Sequence, residues 1–147
     1  MELGLTDKVA LVTGAGSQIG FGRATAVTLA REGCNIVVAD MYLEGAKKTV
    51  AEIKKLGRRA IAVKVDVSSG SEVDDMVAQA LAEFGRIDIL INNAGIAGGG
   101  GFFANSKPES WNRTIDVNIY GTLNCTRAVL PQMVENKYGK IINLASG

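Results

Sequence analysis

The residues of this chain best suited to chemistry are glycines. Gly14, Gly20 and Gly22 stand in the run Val-Ala-Leu-Val-Thr-Gly-Ala-Gly-Ser-Gln-Ile-Gly-Phe-Gly-Arg-Ala at residues 9–24, where an apolar stretch passes through a turn into a helical pattern. Such a junction suits a phosphate. The first turn of a helix leaves backbone N–H groups without partners, and the helix dipole brings partial positive charge to the same end. Glycines admit the backbone to a diphosphate where a Cβ would collide. Each charge-assisted hydrogen bond formed there contributes about 1.5–3 kcal/mol. Gly14, Gly16 and Gly20 offer a second register, but the first leaves residues 23–32 as one uninterrupted helix and is preferred. The same glycines also suit a plain turn packed for its own sake. What favours a dinucleotide cradle is the order strand, turn, helix and then an acid.

That acid is Asp40, at the end of a second apolar run, 35–40. In a doubly wound sheet this position faces the adenosine ribose, whose hydroxyls a carboxylate accepts, and it repels a 2′-phosphate. A unit charge pair at about 4 Å and an effective dielectric near 20 costs on the order of 4 kcal/mol, less at a wet cleft mouth. Neither Met41 nor Tyr42 supplies a cation to reverse this, so NAD is favoured over NADP. The other reading of Asp40 is a cap for the following helix. Asp66, in Val-Asp-Val-Ser after a third apolar run, either accepts from an adenine amino group at the same edge or is an acid beside the next helix start. In Asn92-Asn-Ala-Gly95 the asparagines can bond backbone between strand ends, while Ala94 and Gly95 leave room for a ligand against the main chain.

These residues need positioning by alternating strands and helices. Strands are expected at 9–13, 35–40, 59–65, 87–91 and 140–145, mostly continuous apolar runs as in a sheet covered on both faces. A first helix at about 22–32 ends at Gly33, and a second at 43–56 stops at Gly57. Ser69 with Glu72 reads as a capping box for a third helix that closes at Gly85. Ser106 with Glu109 reads as another, with Pro108 in the first turn, opening a long helix to about Asn136. Helix–glycine–strand joints therefore recur at Gly33, Gly57, Gly85 and Gly139. The pattern is α/β: one doubly wound, parallel, three-layer sheet with five strands in a single domain over 1–147. Residues 98–101, all glycine, form the one floppy segment expected.

Composition narrows the function. The 147 residues are 47% hydrophobic with net charge +1, the size of one domain with a real core and no electrostatic footprint for nucleic acid. No apolar run approaches a membrane span, and the first residues lack the pattern of a signal peptide. Cys34 and Cys125 are isolated and histidine is absent, which argues against disulfides, against a metal site and against the usual triads. A cytoplasmic protein with a small-molecule substrate is expected.

Thr13-Gly14…Gly20-Phe21-Gly22, Asp40, Asp66-Val67, Asn92-Asn-Ala-Gly95, Asp116-Val-Asn118 and Ile141-Ile-Asn-Leu-Ala-Ser146 together resemble the amino-terminal part of a classical short-chain dehydrogenase/reductase. The resemblance covers the whole chain. It implies a Rossmann sheet, a nicotinamide dinucleotide across the carboxyl strand ends, and hydride exchange with a secondary alcohol or ketone. It implies that Asn118 holds a water in a proton relay and that Ser146 bonds the substrate oxygen and steadies charge there. It further implies self-association into a dimer or tetramer through the long helix near 107–136, by way of Trp111, Ile115, Ile119, Leu123 and Val129.

Two departures stand out. The turn from Gly14 to Gly20 is two residues longer than the family's Gly-x3-Gly-x-Gly, similar in length to the loop of the related enoyl reductases, so Ser17 or Gln18 is a candidate for side-chain contacts to the diphosphate. The family's proton donor, a tyrosine with a lysine four residues on, is missing: Tyr42, Tyr120 and Tyr138 are followed at that spacing by Ala46, Asn124 and Ile142 and read as structural. The expectation is therefore a longer parent enzyme of which these residues, inactive by themselves, form the cofactor part, with the fifth strand an exposed edge and stability marginal. A silent nucleotide-binding module is the alternative. A methyltransferase, the third reading, would not require Asn92–Gly95 together with Asn118 and Ser146. The substrate is left open among sugars, steroids, short ketones and 3-oxoacyl thioesters.

Overall fold

The computed structural model describes residues 3–98 and 101–146. Val9–Thr13 (β1), Asn35–Asp40 (β2), Ala60–Lys64 (β3), Ile89–Asn92 (β4) and Lys140–Asn143 (β5) pair in parallel in the order β3-β2-β1-β4-β5. Between them run α1 (Phe21–Arg31), α2 (Leu43–Lys55), α3 (Gly70–Phe84), α4 (Pro108–Ile115) and α5 (Gly121–Glu135). The order reverses between β1 and β4, and a crevice opens at such a switch point beyond the carboxyl ends of the strands.

The strands read as unbroken apolar runs because both faces are covered. Along β1, Val9 and Leu11 enter the core shared with α3 and α5, while Ala10 and Val12 enter the one shared with α1 and α2. β5 is different: Ile142 and Leu144 are exposed, so the expected bare edge is there. The α/β doubly wound sheet is as anticipated: β1 and β2 keep their expected bounds, β3 and β5 are shorter by two residues, and β4 begins two residues later and ends one later.

Several local expectations need correction. Ser69 does cap α3, its hydroxyl accepting from the Glu72 amide, but Glu72 does not reciprocate; its carboxylate accepts from the Asp66 amide instead. The second capping box does not form. α4 begins after Lys107, and the Ser106 hydroxyl donates to the Phe103 carbonyl and accepts from the Trp111 indole, engaged by a preceding 3-10 turn. The long helix is two α-helices joined by a π-turn, Asp116–Tyr120, where the Gly121 amide reaches the Asp116 carbonyl. At the last joint the left-handed residue is Lys137 (φ 54°), and Gly139 is needed because a Cβ there would come within 2.5 Å of the Met133 sulfur. Val129 is fully buried on its own sheet, so it is not part of the outward face on which Ile115, Ile119 and Leu123 lie. Within the glycine run 98–101, residues 99 and 100 lie outside the described residues. No helix among the described residues is long and apolar enough to cross a membrane.

Both cysteines are core residues. Burial pushes the Cys34 thiol up to about 11, against a smaller opposing pull from Arg58, and pushes Cys125 up to about 12. Thiols so raised stay protonated and unreactive at neutral pH. A thiol-disulfide reagent at pH 8 is therefore expected to leave the native chain unlabelled and to label both cysteines after denaturation. Rapid native labelling of Cys125 would mean that α5 does not sit on the sheet as described.

Candidate functional site

The site is built around a meeting of three backbone segments. Gly14 leaves β1 with φ +65°, and a Cβ on it would lie 2.8 Å from the Ala94 Cα. Gly22, in the first turn of α1, is tighter still: a Cβ would lie 2.3 Å from the Gly14 carbonyl oxygen and 2.4 Å from the Asn93 amide nitrogen. Asn93 closes this junction by donating from Nδ2 to the carbonyls of Thr13 (2.9 Å) and Gly14 (3.0 Å). Buried Thr13 locks it from the other side, its Oγ1 accepting from the amides of Asn93 (3.1 Å) and Ala94 (3.0 Å).

This junction directs the start of α1 at the crevice. Gly20 is its N-cap and offers no side chain to the helix end. The amides of Phe21, Gly22 and Arg23 have no acceptor among the described residues, and no acid lies in the first turn. α2, α3 and α4 each carry a glutamate there. Unmet donors, a dipole end and no competing carboxylate together favour an anion.

The long part of the loop is tied to its neighbours. The Gly16 amide donates to Asp40 Oδ2 at 2.8 Å, and a Cβ on Gly16 would meet the Asp40 carboxyl carbon at the same distance. Asp40 Oδ1 accepts from the Tyr42 amide (2.8 Å), so Asp40 also stabilises the entry to α2. Each oxygen keeps a lone pair free. Gln18 turns away: its Nε2 donates to the carbonyls of Gly16 (3.0 Å) and Gly45 (3.1 Å), while the Thr49 hydroxyl donates to the Ala15 carbonyl (2.9 Å). The Gln18 side-chain nitrogen therefore braces the loop on α2 and is not free for a diphosphate, leaving exposed Ser17 as the side-chain candidate.

After β3, Asp66 Oδ1 accepts from the Ser68 amide (3.0 Å) and hydroxyl (2.6 Å), and Oδ2 accepts from the Arg113 guanidinium (2.9 Å). Burial pushes this carboxyl upward, but the Ser68 bonds and Arg113 outweigh it and hold it below the ordinary carboxylate range. In the π-turn, the Asn118 amide clamps one residue twice, accepting from the Ile96 N–H (2.9 Å) and donating to the Ile96 carbonyl (2.8 Å). Gly95 is required beneath it, since a Cβ would come 2.8 Å from Asn118 Oδ1. Ser146 is exposed on the stretch that follows β5.

A cavity of about 270 Å³ gathers most of these groups: Gly14, Ser17, Gly20 and Phe21 from the loop, Asp40 and Met41 after β2, Asp66 and Val67 after β3, and Asn93, Ala94, Gly95 and Ile96 after β4. Gln18, Gly22, Asn118 and Ser146 are not on its wall; the first three support residues that are. A more open crevice of about 410 Å³ lies at the amino ends of the strands, beside Val9 and Asn35. Its Arg58, Arg59 and Arg86 are paired with Asp7, Glu83 and Asp88, and it shares no residue with the glycine loop, so the smaller cleft is the candidate site. Sequence patterns alone assign no site role to Thr13, Gly16 or Arg113. Gly16 had a signal in the rejected glycine register; Arg113, 47 residues from Asp66, had none.

A sequence profile of the family described as short chain dehydrogenase matches residues 8–147. The hydroxy(phenyl)methyl-succinyl-CoA dehydrogenase subunit BbsD of Thauera aromatica is 42% identical over 98% of this chain and 57% of that protein. A 3-oxoacyl-(acyl-carrier-protein) reductase of Synechocystis is 43% identical over 97% of this chain and 57% of its own length. Among solved structures, NAD+-bound xylitol dehydrogenase superposes with TM-score 0.92 at 37% identity, over 97% of this chain and 54% of that one. A short chain dehydrogenase/reductase from Burkholderia phymatum in complex with NAD gives TM-score 0.90 at 37% identity, over 99% of this chain and 50% of the other. The chain spans about half the length of the relatives it matches.

The Thr13 hydroxyl is the most economical test of the junction. Thr13→Val keeps shape and strand preference but removes the acceptor of two amides, and is expected to destabilise the chain by about 1–3 kcal/mol. Urea unfolding measures this; an unchanged midpoint would mean that the junction does not depend on Oγ1.

Proposed function

The chain belongs to the short chain dehydrogenase family, and from that premise we propose that it is the cofactor-binding part of an oxidoreductase that uses NAD to interconvert a secondary alcohol and a ketone. The observation that carries this reading is the pairing of unmet α1 amides with the Asp40 carboxylate on one cleft. Two similar structures, named for their bound NAD+ or NAD, lend support.

When bound, the nicotinamide ring supplies hydride exchange with the substrate carbon; the rest is the work of this chain's own residues. The amides of Phe21, Gly22 and Arg23, with the Ser17 hydroxyl at the rim, hold the diphosphate by directed donors and the dipole end of α1. Asp40 accepts from the ribose hydroxyls on the lone pairs that Gly16 and Tyr42 leave free, and it repels a 2′-phosphate. Asp66 accepts from the adenine amino group, with Val67 beside it as an apolar wall. Ala94 and Gly95 leave the main chain open to the nicotinamide side. Asn118 fixes Ile96 and so the exit of β4, and its π-turn gives a water of the relay a place against the helix backbone. Ser146 bonds the substrate oxygen and steadies charge on it. Trp111, Ile115, Ile119, Leu123, Leu130 and Val134 leave an apolar stripe exposed along α4 and α5, which supports self-association through these helices.

The cofactor assignment is tested by fluorescence titration of the wild-type chain and of Asp40→Ala with NADH and NADPH. NADH is expected to bind about ten- to a hundredfold more tightly to wild type, the repulsion being partly screened, and the preference is expected to collapse in the variant. Equal wild-type affinity for the two would overturn the assignment.

A further inference from the structure

Arg113 touches two walls of the cleft from outside it. It stands in the last turn of α4, yet its Nη2 reaches Asp66 Oδ2 at 2.9 Å and lies 3.7 Å from the Met41 sulfur, while Nη1 donates to the Ser68 hydroxyl at 2.8 Å. Met41 and Asp66 line the cavity; Arg113 does not. A guanidinium is a rigid planar fork, so gripping Asp66 and Ser68 together fixes the plane of the carboxylate as well as its charge.

The count of acceptor sites gives this grip a consequence. An ionised carboxylate offers about four lone-pair sites. Ser68 takes both on Oδ1 through its amide and hydroxyl, and Arg113 takes one on Oδ2. One acceptor direction remains, on an oxygen held by the guanidinium. A group presenting a single, fixed, anionic acceptor welcomes an N–H donor and refuses a carbonyl oxygen. In the cleft this is the difference between a 6-aminopurine and a 6-oxopurine.

We propose that Arg113 is a positioning residue for base recognition: by holding the Asp66 carboxylate in one orientation, it makes the cleft selective for adenine over hypoxanthine or guanine. The proposal rests on the reading that a dinucleotide occupies this cleft. The competing role is a strut between α4 and the exit of β3. That role alone is weak, because an ion pair whose arginine side chain is 43% exposed contributes little to stability. A strut would affect every dinucleotide equally, whereas a positioning residue acts on the purine 6-substituent.

The test compares binding of NADH and reduced nicotinamide hypoxanthine dinucleotide, followed by the fluorescence of the reduced nicotinamide, in wild type, Arg113→Met and Arg113→Lys, with circular dichroism as the check of folding. Wild type is expected to prefer NADH about tenfold, the cost of leaving one acceptor facing a carbonyl. Arg113→Met is expected to bring the two affinities within about threefold, chiefly by loss of NADH affinity, because the freed carboxylate can rotate. Arg113→Lys, which keeps the charge but not the fork, is expected to lie between them and supplies the answer if the methionine variant is unfolded. An unchanged ratio in the folded variants, or an equal loss for both ligands, overturns the proposal while leaving dinucleotide binding intact. A wild-type chain that binds neither ligand overturns the cofactor reading, and this proposal with it.

Discussion

The structure depends on a close approach of backbones. Where β1 ends, α1 begins and β4 leaves the sheet, the chain passes itself at distances that leave no room for a side chain: a methyl at Gly22 would sit 2.3 Å from a carbonyl oxygen. Helix propensity alone would place alanine there, a gain of about 1 kcal/mol over glycine. Packing opposes that gain, because the oxygen that a methyl would strike belongs to Gly14, itself held by Asn93 and by a left-handed turn. The helix therefore accepts a poorer helix former in its first turn, and its unmet amides open onto the cleft as a result.

A second consequence is the electrical shape of the cleft. Its helix end carries bare amides and no acid; its far wall carries Asp40 and Asp66. Two carboxylates facing one cavity would repel each other and each would be costly to desolvate, but both are compensated by the protein. Asp40 accepts two backbone amides, and Asp66 accepts a serine twice and a guanidinium once. The lengthened glycine loop belongs to this arrangement. Its extra residues bring the Gly16 amide to Asp40, and Gln18 and Thr49 anchor the result to α2. A shorter turn would need another donor for the same oxygen.

What could be read from the sequence was what local chemistry decides. Unbroken apolar runs such as Leu11–Val12 and Val37–Val38 announced strands covered on both faces, and Gly33, Gly57 and Gly85 marked helix ends because each adopts positive φ. Reading failed where a side chain had two partners within reach and tertiary structure chose. Ser106 could cap α4 by pattern, yet its hydroxyl was captured by Phe103 and Trp111. Gln18 could face a phosphate by position, yet its Nε2 is taken by the carbonyls of Gly16 in the loop and Gly45 in α2. Val129 was grouped with the apolar stripe, but it follows Leu123 by six residues in α5, about 240° further round at about 100° per residue, and so faces the sheet. Arg113 lies beyond any local pattern, since its partners Asp66 and Ser68 precede both α3 and β4.

The strand ends of the sheet differ in how firmly they are packed. Residues of the cleft ride on the ends of β1, β2, β3 and β4, and the three strands of the sheet interior, β2, β1 and β4, are almost wholly buried. Ser146 follows β5, whose residues are mostly exposed. β5 is held at its end chiefly by β4, where Asn92 donates to both Asn143 and Thr126 while its own Oδ1 meets no donor among the described residues. A buried carbonyl left unpaired costs about 1–3 kcal/mol, so this corner carries an unsatisfied polar atom. Local opening starts where such contacts and exposed backbone coincide. Ser146 stands one strand beyond β4, apart from the glycine junction. The carbonyl of Gly14 and the methyl-free face of Gly22 lie on the other side of β4 from it, held by Asn93 rather than by any residue of β5.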